Sequence, residues 1–193
     1  MRNFLKKQYK ESFNFIKESR SFIYGVVGVF FVFCCLGFFL PVPLNFENEI
    51  LKFIEELIEK TKDMGQFDLI LYIFWNNFQS SFFGIFLGSF FGVFSVLLSV
   101  VNGYVLGFVA MKSVEGAGIL SLWRIFPHGI FELPAVFISL GIGIKLGTFV
   151  LQKKKIEFFR KYFWNCARVL VFVVLPLLIV AAIIEGSLIF VSR

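Results

Sequence analysis

Between Asp68 and Lys112 lie 43 consecutive residues without a charged side chain. As one helix rising 1.5 Å per residue, that stretch would be roughly twice as long as the ~30 Å hydrocarbon layer of a bilayer is thick. It therefore reads as two membrane crossings joined by a reversal, which the sequence places near Gly92 and Val93; a deep re-entrant pair is the alternative. The composition agrees, with 58% hydrophobic residues, 20% aromatic residues and 30 phenylalanines in 193 residues, more apolar surface than a soluble fold of this size can bury. The expected fold class is all-α, a polytopic membrane helix bundle forming a single membrane domain over residues 1–193.

Charge sets the expected topology. Residues 1–20 carry Arg2, Lys6, Lys7, Lys10, Lys17 and Arg20 against Glu11 and Glu18, which marks a cytoplasmic N-terminus ahead of a first span at 21–40. That basic head is long for a cleaved signal, and the apolar run ends in Pro41-Val42-Pro43 instead of a small-residue cleavage site, so the segment reads as an uncleaved helix. Residues 44–68 are acidic, with Glu47, Glu49, Glu55, Glu56, Glu59, Asp63 and Asp68 against Lys52, Lys60 and Lys62. This balance suits the outer side. Ile50, Leu51, Ile54, Leu57 and Ile58 recur there at helical spacing, predicting an amphipathic helix on the bilayer surface or, as the favoured reading, one packed over the protein's own core. Lys153, Lys154, Lys155, Arg160 and Lys161 mark 152–162 as a cytoplasmic loop, so 69–111 must cross an even number of times, giving spans at 69–91 and 93–111. Spans at 127–151 and 167–190, the last kinked at Pro176, complete about five transmembrane helices in a multi-pass protein of the cell membrane.

Helices in lipid associate by close backbone approach, which needs small residues at four-residue spacing. Gly84, Gly88 and Gly92 form one such ridge, Gly103 and Gly107 a second, Gly143 and Gly147 a third; the second, third and fourth spans are expected to form the tight centre. Polar groups inside the spans are few. Asn76, Asn77, Asn102, His128, Glu132 and Glu185 fall at similar depth when threaded through five helices, and a charged group there costs about 2.5–3.5 kcal/mol unless it finds partners. His128 and Glu132 sit one turn apart between Pro127 and Pro134. The cluster reads as a buried clasp fixing helix register, as an outward-opening polar cavity for a proton, ion or small head group, or as a metal or catalytic site. The third has too few ligands, and no HExxH, GxSxG or paired-aspartate motif accompanies it. Lys145 and Arg168 read as snorkelling anchors. Cys34, Cys35 and Cys166 suggest neither a disulfide framework nor a thiolate metal site, so no catalytic residue, cofactor or metal is expected.

The net charge of +6 sits in short blocks beside apolar runs, where topology and anionic lipid account for it, and no nucleic-acid recognition module is present. The expected surroundings are the lipid bilayer and, as partners, other membrane proteins or a homo-oligomer; nucleic acid is not among them. Without an ATP-binding loop, any active transport would draw on a partner ATPase or an ion gradient.

Asn77 with the glycine-rich helix after it, Asn102-Gly103-Tyr104-Val105-Leu106-Gly107, and above all Pro127-His128-Gly129-Ile130-Phe131-Glu132-Leu133-Pro134 with Gly141 to Gly147 behind it resemble the stage II sporulation protein M family of integral membrane proteins, over roughly residues 10–190. The resemblance implies a non-enzymatic membrane scaffold. In sporulating relatives it implies a complex with peptidoglycan-degrading partners that remodels the septum during engulfment; many relatives occur in cells that form no spores. A small transporter or channel subunit using Glu132 and His128 is the alternative function.

Overall fold

The computed structural model describes residues 2–40, 44–124 and 126–191, and the side chains of residues 44–46, 124 and 126–128 lie outside that description. Among the described residues every regular element is helical. The helices are α1 (Arg2–Glu18), α2 (Arg20–Phe39), α3 (Leu44–Thr61), α4 (Gln66–Phe86), α5 (Val93–Ala117), α6 (Phe126–Gly147), α7 (Lys155–Val169) and α8 (Leu175–Val191). Four segments are long and apolar enough to cross a membrane: Arg20–Phe39, Val93–Ala117, Gly129–Leu151 and Lys155–Val191. Helix α4 falls outside this set because Asn76, Asn77, Gln79, Ser80 and Ser81 lower its hydropathy, yet it runs through the bundle beside α6 and α8.

The uncharged stretch reverses after a short 3-10 turn, Leu87–Ser89. Phe91 and Gly92 both take positive φ, 56° and 74°, a conformation open to glycine and costly for most other residues. At Gly92 a side chain would also press on Ile144 of α6. Helix α5 starts at once, at Val93.

Helix α6 is the centre of the bundle. Of its apolar span 56% is buried, against 17% for α2, and α2, α4, α5 and α8 all pack on it. The glycines allow this. A Cβ on Gly88 would lie 2.6 Å from the Gly143 carbonyl carbon, and one on Gly147 would lie 2.5 Å from the Gly88 carbonyl oxygen, so α4 and α6 run parallel in backbone contact. One on Gly84 would strike Leu140, and one on Gly141 would strike Ile23 of α2. The ridge of Gly103 and Gly107 does not serve α4 or α6. It meets the Phe30 and Cys34 carbonyls of α2, while Gly37 of α2 meets Tyr104; Ser99 Oγ donates to the Val26 carbonyl along the same line (3.0 Å). The expected centre of second, third and fourth spans is thus corrected. Helices α4 and α5 touch mainly near their turn, where Ser95 Oγ donates to the Gly84 carbonyl (2.8 Å), and α5 takes α2 as its close partner.

Further expectations change. The basic head is helix α1, whose apolar stripe buries Phe15 at 3% exposure and packs on α7. The supposed loop at 152–162 is a short turn followed by α7, because Phe158, Phe159, Tyr162 and Phe163 form an apolar face between the basic residues. Helices α7 and α8 join through a π-helical turn, Leu170–Val174, in which the Leu175 N–H donates to the Leu170 carbonyl. The wider turn precedes Pro176, which has no N–H and whose ring crowds the carbonyl four residues back, so the chain continues as one helix. Lastly, α3 buries none of its described residues and does not cover the core; Glu47 ties it to Lys112 on α5 (2.6 Å).

Candidate functional site

Backbone contact between α4 and α6 at the glycine seam fixes what faces what two turns further along. On α4, Leu69, Asn77, Ser81, Gly84 and Ile85 are the buried stripe. On α6, Glu132, Ala135, Val136 and Ser139 are buried above Gly143. Asn77 Nδ2 therefore meets Glu132 Oε2 at 2.5 Å, with the two residues only 9% and 5% exposed. An amide N–H donating to a carboxyl oxygen shielded from water makes a stronger bond than the same pair at a surface. Pro134, inside α6, removes one N–H and so leaves the Ile130 carbonyl without its helical donor, about half a turn before Glu132.

The remaining members of the expected cluster divide. Glu185 is half-buried on α8, next to Gly186, which lies against Ile70 of α4; Gln66 Nε2 donates to Ser187 Oγ nearby (3.1 Å). The His128 side chain is outside the described residues. Asn76 and Asn102 are exposed on the bundle's outer surface and do not join the cluster. Helical phase is the reason: Asn76 is rotated about 100° from Asn77, and Asn102 is one residue out of step with Ser95, Ser99, Gly103 and Gly107, the buried stripe of α5. That four-residue repeat was a readable signal, as was the seven-residue step from Asn77 to Gly84.

A second polar centre occupies the positions of the two expected anchors, Lys145 and Arg168. Lys145 is 8% exposed. Its ammonium lies 4.8 Å from the centre of the Phe15 ring and 5.7 Å from that of Tyr162, and it donates to Glu18 at 3.3 Å. Arg168 pairs with Glu11 (2.8 Å) and donates to Gln8 (2.6 Å) and Asn165 (2.8 Å). Neither residue needs to reach the interface alone, because α1 folds across this end of the bundle and brings carboxylates and rings to them. The step of four from Gly141 to Lys145, along the face that meets α2 and then α1, was the available clue.

At Asn77 and Glu132 an amide donor and a carboxyl acceptor join two parallel helices. Among the described residues no group of three His, Cys, Asp or Glu side chains is placed to hold a metal ion. In comparison with known proteins, the family model for stage II sporulation protein M matches residues 26–189, from the first third of α2 to the end of α8. Neither the curated proteins nor the solved structures yield a match.

Proposed function

The chain belongs to the stage II sporulation protein M family, and from that premise we propose that it is a non-enzymatic scaffold or subunit of a membrane complex, set in the cell membrane by five crossings with its N-terminus in the cytoplasm. Five crossings count α4 with the four apolar segments. The basic residues of α1, the turn at Lys153–Lys155 and Arg168 then share the cytoplasmic end, and acidic α3 lies outside, as charge asymmetry favours. In sporulating relatives the resemblance implies a complex that remodels septal peptidoglycan beside cell-wall-degrading partners, and this chain takes the same membrane-embedded role.

The observation that carries the scaffold reading is the outer face of α4. Asn76 and Gln79 are exposed there among Trp75, Phe82 and Phe83. An amide facing hydrocarbon lacks a partner, and helices in membranes use such groups to bind one another. A neighbouring membrane protein or a second copy on this face would satisfy both amides. A photo-crosslinking residue at position 79 in native membranes tests this. Capture of a discrete membrane protein supports the scaffold, and labelling of lipid alone overturns it.

Burial of a carboxylate at Glu132 favours one other reading, a proton- or ion-conducting subunit. In liposomes, Glu132→Gln would stop such a flux while the protein stays folded. For a scaffold, the same variant keeps its crosslinked partners, and neither protein moves protons.

A further inference from the structure

Most glycines in the spans are used where helices touch, but two on α2 are not. A Cβ at Gly25 or Gly28 would meet nothing within 4 Å, in contrast to Gly37 on the same helix, which lies against Tyr104. Beside Gly25 runs an apolar groove of about 220 Å³ between α2 and α5, floored by Val26, Val96 and Ser99. The Ser99 hydroxyl is spent on the Val26 carbonyl, so the floor offers little to a polar ligand.

A polar hollow of about 500 Å³ lies where α1 bends into α2, and Ser21 lines both it and the groove. The bend is at Ser19, which is fully buried and whose Oγ donates to the Phe15 carbonyl (2.7 Å). The hollow presents Asn14, Lys17 and Arg20. Its one carboxylate, Glu18, is drawn to Lys145, while Lys17 and Arg20 have no ion-pair partner among the described residues. Lys17 in the last turn of α1 and Arg20 at the start of the membrane-length α2 stand at head-group level, and the groove lies further along α2.

We propose that the elbow between α1 and α2, with the groove beside Gly25, binds an anionic phospholipid, its phosphate on Lys17 and Arg20 and one acyl chain lying over Gly25 against Val96. A basic hollow next to an apolar furrow, with Ser21 on the wall of both, matches a charged head joined to a tail, and neither half alone does so. The site does not depend on which side of the membrane the N-terminus occupies.

The test uses full-length protein in a neutral detergent, with thermal unfolding followed as phosphatidylglycerol, phosphatidylcholine or glycerol 3-phosphate is added. Phosphatidylglycerol should raise Tm, with weaker effects from phosphatidylcholine and none from glycerol 3-phosphate. The double variant Lys17→Gln/Arg20→Gln should weaken the apparent affinity about thirtyfold, two basic contacts' worth for an anionic head group. Gly25→Leu should fold with unchanged Tm in lipid-free detergent, since its side chain enters open space, and should lose the phosphatidylglycerol response. Equal responses to the two lipids, a full response to glycerol 3-phosphate, or an undiminished response in Gly25→Leu would each overturn the proposal. Native mass spectrometry of the unaltered protein gives a reading independent of variant folding: one retained phosphatidylglycerol per chain supports the site, and none or a random spread refutes it.

Discussion

Two amphipathic helices flank the bundle, and they behave differently. Helix α1 is basic and α3 acidic, and both show an apolar stripe of similar clarity in the sequence. Helix α1 inserts Phe15 into a core shared with Leu146, Cys166 and Leu170, while Glu11 and Glu18 reach Arg168 and Lys145. Helix α3 buries none of its described residues and holds on through Glu47. An apolar face makes docking possible; a pocket shaped for one ring, with buried cations awaiting carboxylates, makes it specific. The apolar face of α3 is left for lipid or another protein.

The contrast can be broken most severely at Phe15. Phe15→Ala removes the ring from the core and from beneath the Lys145 ammonium, and should cost about 3–5 kcal/mol of stability, read as a lower Tm in detergent with α1 becoming protease-sensitive. Lys145→Met keeps the stem's volume but loses the cation over two rings and the pair with Glu18. A loss of about 1–2 kcal/mol is expected, and a gain in stability would show that burying this charge costs more than its partners return. Arg168→Gln should cost about 1 kcal/mol, and hydrogen exchange should quicken along α1 before anywhere in α6. Glu47→Gln sharpens the other side of the comparison. The bundle's Tm should not change, while α3 amides, already exchanging faster than those of α1, exchange faster still. Protection of α3 equal to that of α1 in the unaltered protein would contradict the contrast itself.

Some of this was readable in the residues. The absence of charge from residue 69 to 111 demanded a fold-back, and the chain reverses at Phe91 and Gly92, because a helix has only one rise per residue and hydrocarbon only one thickness. The glycine ridges marked close approaches, and Glu132 was marked as a group that must face inward. The partners were less legible. Gly103 and Gly107 announce a contact without naming α2, since backbone contact looks the same whichever helix supplies it. Asn76 and Asn77 are equivalent in composition and opposite in placement, a matter of helical phase that attention to Gly84 would have resolved. Lys145 read as an anchor because its four-residue step from Gly141 marks an inward face without naming α1 as the helix that covers it.

The sequence by itself determined that this chain is a bundle of membrane-length helices, where it turns, and which residues are too small or too polar to face lipid. Those properties follow from one-dimensional quantities: length, hydropathy and spacing. Only the tertiary structure decided that α6 is the centre, that α5 pairs with α2, that Asn77 and not Asn76 holds Glu132, and that α1 docks while α3 does not. Each depends on the rotation of one helix against another, and in a bilayer, where every apolar face is equally content with lipid, that rotation is set by a few close backbone approaches and buried polar bonds.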